Sequence, residues 1–164
     1  MSLFPATISD LARQIISTYS AKGWMVATAE SCTGGLIAAA LTDIAGSSAV
    51  VDRGFVTYTN QAKIDLLGVL PETLEQFGAV SRETALQMSS GALMRSRAHV
   101  SVAVTGIAGP GGGSADKPVG LVHLAARCRD GRVIHREMRY GDLGRDGVRL
   151  ATVETALGMV LELR

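Results

Sequence analysis

Apolar residues recur at helical spacing in TISDLARQIISTYSAKG (7–23), where Ile8, Leu11, Ile15, Ile16 and Tyr19 share a face and Gly23 ends the run. WMVATAE (24–30) follows as a short continuous apolar stretch, the pattern of a buried strand. CTGGLIAAALTDIAG (32–46) returns to helical character and stops at Gly46, and VVDRGFVTYTN (50–60) has the β-branched and aromatic content of a strand. NQAKIDLLG (60–68) predicts a short helix capped by Asn60, with a further one- or two-turn helix over 71–77 after Pro71. The longest helical pattern is SRETALQMSSGALMRSR (81–97), with Ser81 as its N-cap and Ala85, Met88, Ala92 and Leu93 on one face. Strands are predicted over 99–105, 119–128 and 132–139, the last two joined by a tight RDG turn, and a helix over about 146–163 closes the chain.

Strands alternate with helices early, and a hairpin comes late. That order predicts an α/β protein: a three-layer α/β/α sandwich on a mixed, mostly parallel sheet with a late antiparallel hairpin. No repeat, linker or charge block divides the chain, so residues 1–164 read as a single domain. The longest irregular stretch is 106–118, and long glycine-rich loops in such domains tend to carry function.

The formal net charge of +1 and an aromatic content of 4% argue against a nucleic-acid partner. Cys32 and Cys128 are too few for a disulfide scaffold and do not have metal-site spacing. No signal peptide is visible, and no apolar run reaches the roughly 20 residues that span a bilayer. A soluble cytoplasmic protein is the expectation.

Ser31 opens the second predicted helix. As a helix cap its hydroxyl would accept a backbone N–H; as a nucleophile it would stand where a strand enters a helix, and nearby amides would bind an oxyanion. Gly34 and Gly35 fall in the first predicted turn, where each weakens a helix by roughly 1 kcal/mol relative to Ala. Close approach of a ligand to bare backbone would offset that cost. Cys32 is the rival nucleophile and would want one of His99, His123 or His135 as partner. For Ser31 the candidate base is a lysine. Lys63 lies in the first turn of the 60–68 helix, where the macrodipole disfavours a cation, although that effect is under about one pKa unit and burial must supply the rest. Tyr58 could orient Lys63 or relay a proton. In the glycine loop, Gly106, Gly109, Gly111, Gly112 and Gly113 can turn several N–H groups toward an anion, with Lys117 adding charge. Arg145 and Arg149 flank the start of the last helix, and either could clamp a phosphate or carboxylate.

Together AESCTGGLIAAALTD, GSSAVVDRGFVTYTNQAK, GAVSRETA, VAVTGIAGPGGGSADKPVG and GDLGRDGVR resemble the CinA C-terminal domain family, over roughly residues 7–160. The resemblance implies a stand-alone amidohydrolase that converts nicotinamide mononucleotide to nicotinic acid mononucleotide and ammonia; no cofactor is expected, and no metal, since no ligand cluster is visible in the sequence. It places the nucleophile on Ser31 and the base on Lys63, with Tyr58 opening the second motif. Backbone N–H groups from Cys32, Thr33, Gly34 and Gly35 are then expected at the oxyanion. Glu30, Thr105, Gly106, Gly111 and Gly112 are expected around the nucleotide, with Arg145 or Lys117 at its phosphate. Many relatives have the arginine directly after the Asp of GD, which leaves Arg145 and Arg149 both open. A homodimer is a further expectation, and a non-catalytic nucleotide-binding module is the alternative.

Overall fold

The computed structural model describes residues 1–164. In chain order it contains α1 (Ala6–Lys22), β1 (Val26–Glu30), α2 (Leu36–Thr42), a 3-10 turn (Ser47–Ala49), β2 (Val51–Val56), α3 (Asn60–Leu67), α4 (Pro71–Phe77), α5 (Arg82–Met94), β3 (Val100–Gly106), β4 (Leu121–Cys128), β5 (Val133–Arg139) and α6 (Gly144–Glu162). The five strands form one sheet in the order β2-β1-β3-β4-β5. β1 is parallel to both β2 and β3, and β4 is antiparallel to β3 and β5, so only β4 points the other way. The expected mixed sheet with its late hairpin is what forms.

Side-chain alternation builds two unequal faces. Val100, Val102 and Val104 of β3, with Val122, Leu124 and Ala126 of β4, face a core of 27 buried residues shared with α1, α2 and α6. That core is tied across the chain by Tyr19, whose hydroxyl donates to the Val160 carbonyl at 2.6 Å. The opposite face is thinner: Ala29 and Ala103 pack with Leu67, Val69, Met88 and Ala92 from α3, α5 and the segment between α3 and α4. No helix is long and apolar enough to cross a membrane.

Two predicted helix starts move. The 32–46 helix begins only at Leu36, because residues 31–35 make turns and Gly34 and Gly35 hold φ of +58° and +105°, which L side chains rarely adopt. Their glycine character serves that turn, since neither lies in a helical first turn. The α3 cap is Thr59, not Asn60: its Oγ1 accepts the Ala62 N–H at 3.0 Å. Ser81 caps α5 as predicted, accepting from Thr84 N–H at 3.2 Å.

The chain leaves β1 to one side through α2 on one face and returns on the other side through α3, α4 and α5 on the opposite face. Crevices at such a reversal, outside the carboxyl ends of parallel strands, are where open α/β sheets bind ligands. Here Ser31 follows β1, Thr57 follows β2, and Thr105 and Gly106 end β3.

Gly91 sets how close α3 comes to that crevice. A methyl group there would overlap the Leu67 carbonyl at the end of α3. Gly91→Ala is expected to push α3 off α5 and cost about 1–3 kcal/mol; urea unfolding of the variant against wild type measures it.

Candidate active site

The turn that carries Ser31 is held from three sides. Ser31 N–H donates to the Val104 carbonyl at 3.1 Å, which continues the β1–β3 ladder one residue past Glu30. Arg149 reaches from α6 to the carbonyls of Cys32 and Thr33, each at 3.1 Å. From β1 the Glu30 carboxylate accepts from Thr28 and Thr33 hydroxyls at 3.1 and 2.7 Å, and from the N–H groups of Ile37 and Ala38 at 2.9 and 3.0 Å. Four donors occupy it and it has no exposure. Glu30 therefore caps α2 from the preceding strand, a job first read for Ser31, and does not face a ligand. Thr33 is equally buried and is spent on Glu30.

Lys63 reaches the same turn from the opposite face. Its Nζ donates to Ser31 Oγ at 2.9 Å and to the Thr57 carbonyl at 2.8 Å. Lys63 is 1% exposed and Ser31 9%. Burial, which penalises the charged form, brings the Lys63 ammonium down to about pKa 8. A buried lysine near neutrality, in contact with a hydroxyl, can act as its proton acceptor. Burial acts the other way on Cys32, raising its thiol to about 11, so it is protonated at neutral pH.

A cavity of about 280 Å³ opens over this pair, walled by Ser31, Cys32, Lys63, Tyr58, Thr105, Gly106, Gly111, Gly112 and Arg145. Thr105 is buried, and its hydroxyl donates to the Ala79 carbonyl at 2.8 Å, holding the 79–80 segment at the rim. Tyr58 makes no hydrogen bond to Lys63 or Ser31. It is largely exposed, and its hydroxyl accepts from Arg145 at 2.8 Å, while Arg145 also donates to the Gly109 carbonyl at 2.8 Å. The two arginines thus separate: Arg145 lines the cavity and Arg149 grips the turn behind it.

Several predicted residues stand elsewhere. Gly34 and Gly35 are not part of the cavity wall; Gly34 faces Arg149 and Gly35 faces Val56. Lys117 Nζ donates to the Phe77 carbonyl at the end of α4, at 2.6 Å, and is not in the wall either. No histidine reaches Cys32. His123 Nδ1 and His135 Nε2 pair with each other at 3.0 Å, and His99 Nδ1 accepts from Met25 N–H. Asn60, read from the sequence only as a helix cap, also lines the cavity, as do Ala79, Val80 and Ile107. All four fall within the motifs GSSAVVDRGFVTYTNQAK, GAVSRETA and VAVTGIAGPGGGSADKPVG, which were the signal available for them. No cluster of three or more His, Cys, Asp or Glu side chains is placed to hold a metal ion.

The CinA C-terminal domain model matches residues 8–163. The chain is 52% identical over 155 residues to nicotinamide-nucleotide amidohydrolase PncC of Enterobacter agglomerans, covering 94% of this chain and 93% of that one. It is 49% identical over 151 residues to the protein of the same name from Escherichia coli K12, covering 92% and 90%. Among solved structures, the competence/damage inducible protein CihA of Agrobacterium tumefaciens superposes with a TM-score of 0.99 at 72% identity, covering 99% of both chains. A competence damage-inducible protein A (ComA) from Klebsiella pneumoniae superposes at 0.89 with 37% identity, covering 94% and 95%.

The role of Glu30 is testable by stability alone. Glu30→Ala would leave two backbone N–H groups and two buried hydroxyls without their acceptor, an expected loss of about 3 kcal/mol or more in urea unfolding. A side chain that merely faced a ligand would cost little.

Proposed function

The chain belongs to the CinA C-terminal domain family, and from that premise we propose that it hydrolyses the carboxamide of nicotinamide mononucleotide, giving nicotinic acid mononucleotide and ammonia. The names carried by its relatives at about half identity support this substrate. One observation carries the chemistry: the 2.9 Å contact between Lys63 Nζ and Ser31 Oγ at the floor of the cavity.

In the proposed cycle, neutral Lys63 takes the Ser31 proton as Oγ bonds to the amide carbon. The carbonyl oxygen becomes an oxyanion beside the turn, where the N–H groups of Cys32 and Thr33 have no partner within the chain. The tetrahedral centre collapses, the C–N bond breaks, and the nitrogen leaves as ammonia with the proton returned by Lys63. Water then attacks the Ser31 ester, giving its proton to Lys63, and nicotinic acid mononucleotide is released as Ser31 recovers its proton from Lys63. Arg145, held at the rim by Tyr58 and Gly109, is the group offered to the phosphate. Tyr58 acts in this scheme by aiming Arg145. The product re-enters pyridine nucleotide synthesis, and residues 1–164 act as one catalytic domain.

Ammonia release from nicotinamide mononucleotide tests the proposal. Wild type is expected to turn over, Ser31→Ala and Lys63→Ala to lose at least about a thousandfold in kcat/KM, and Cys32→Ala to remain active. Because Lys63 must be neutral to accept the proton, kcat/KM should climb with pH up to about 8 and level off above it. A wild type that binds the nucleotide without releasing ammonia would make this a binding module. Activity retained in Ser31→Ala but lost in Cys32→Ala would move the nucleophile to Cys32.

A further inference from the structure

Thr57 is touched by both halves of the site, yet its own side chain is unaccounted for. Its N–H donates to the Glu30 carbonyl at 2.8 Å, next to the peptide that leads into Ser31. Its carbonyl accepts from Lys63 Nζ at 2.8 Å. The residue has no exposure, and its Oγ1 is buried without a hydrogen-bond partner. An orphaned buried hydroxyl is costly and calls for a reason.

Strand alternation says where that hydroxyl lies. Phe55 packs with the core on the α3 and α5 face, and Val56 lies against Gly35 ahead of α2. Thr57, next in line and held by the continued ladder to Glu30, turns back to the Phe55 face. That is the face from which Lys63 reaches up. A charged Lys63 has three N–H donors, and only two acceptors are in place, Ser31 Oγ and the Thr57 carbonyl.

We propose that Thr57 is a positioning residue for the Ser31–Lys63 pair, its hydroxyl accepting the third N–H of Lys63 whenever the lysine carries the proton taken from Ser31 or from water. That duty requires only that the hydroxyl turn toward Lys63 Nζ, and no atom is transferred to or from Thr57. The proton on Lys63 is thereby retained until the departing amide nitrogen, or later Ser31, takes it. The inference about Lys63 stands on this geometry, and its catalytic meaning rests on the amidohydrolase reading above. The other ionisable groups about the pair are the Cys32 thiol in the turn, Glu30 from β1, Arg149 from α6, and Tyr58 and Arg145 across the cavity. The substitutions proposed leave all of them unchanged.

The chain has three lysines, Lys22, Lys63 and Lys117, so labelling lysine with 13C at Cε gives three signals, and Lys63→Arg assigns the one of interest. Titration of the whole protein by NMR then reads the Lys63 proton directly, with no substrate present. Thr57→Val, which keeps the shape and removes the hydroxyl, is expected to lower the Lys63 pKa by about one unit. It should also move the rising limb of kcat/KM down by the same amount and reduce the plateau about tenfold. Thr57→Ser should restore both to wild type. Thr57→Ala is a second hydroxyl-free variant with the same expected shift, should Thr57→Val not fold. An unmoved Lys63 titration in the hydroxyl-free variants overturns the proposal, and so does an equal shift in Thr57→Ser, which would assign the effect to packing. If wild type releases no ammonia, the amidohydrolase reading fails while the Lys63 titration still decides the role of Thr57.

Discussion

A lysine carried out of water to meet one hydroxyl is the constraint around which this molecule is arranged. Lowering an ammonium from its ordinary value to about 8 corresponds to about 3 kcal/mol of folding free energy. Because a depressed amine pKa disfavours the charged form, that cost is fully present below about pH 8 and disappears above the unfolded value near 10.5. The rest of the fold must supply it. The 27-residue core on the other face, with the Tyr19–Val160 tie across it, is the main source of surplus.

The second constraint is that the hydroxyl must not follow its helix. A serine capping α2 would be occupied by a backbone N–H and poorly placed to meet a base. Moving the cap to Glu30, one residue earlier and on the strand, frees Ser31. The left-handed glycines at 34 and 35 make room for the turn this exchange requires, and Arg149 fixes its carbonyls from behind. None of Glu30, Gly34, Gly35 and Arg149 lines the cavity. Their chemistry lies in shaping a loop.

The mixed sheet, the late hairpin and most helix limits were legible in periodicity, because burial on one face leaves a repeating mark, whereas the order of the strands was not. Ser31 and Lys63 were legible through the motifs that contain them, though spacing by itself left Ser31 as cap or nucleophile. Glu30 was misread, since an acidic residue beside a candidate nucleophile suggests a ligand. The corrective signal was present: Thr28 and Glu30 are two apart on a strand and so share a face. Lys117 carried no such signal, because a loop of glycines does not specify where its lysine goes. The choice between Arg145 and Arg149 needed the path of α6, as both lie within a turn or so of its start.

Ser31 and Lys63 belong to opposite layers of the sandwich. Ser31 is fastened to the thick side through α2 and α6, whereas Lys63 rides on α3, an eight-residue helix over a cluster of only 6 buried residues. Free energy for local opening is smallest where few apolar contacts must be broken. Warming is therefore expected to part Lys63 from Ser31 while the sheet and its larger core persist, which would put the thermal limit of the pair below the melting temperature and let one short helix set it.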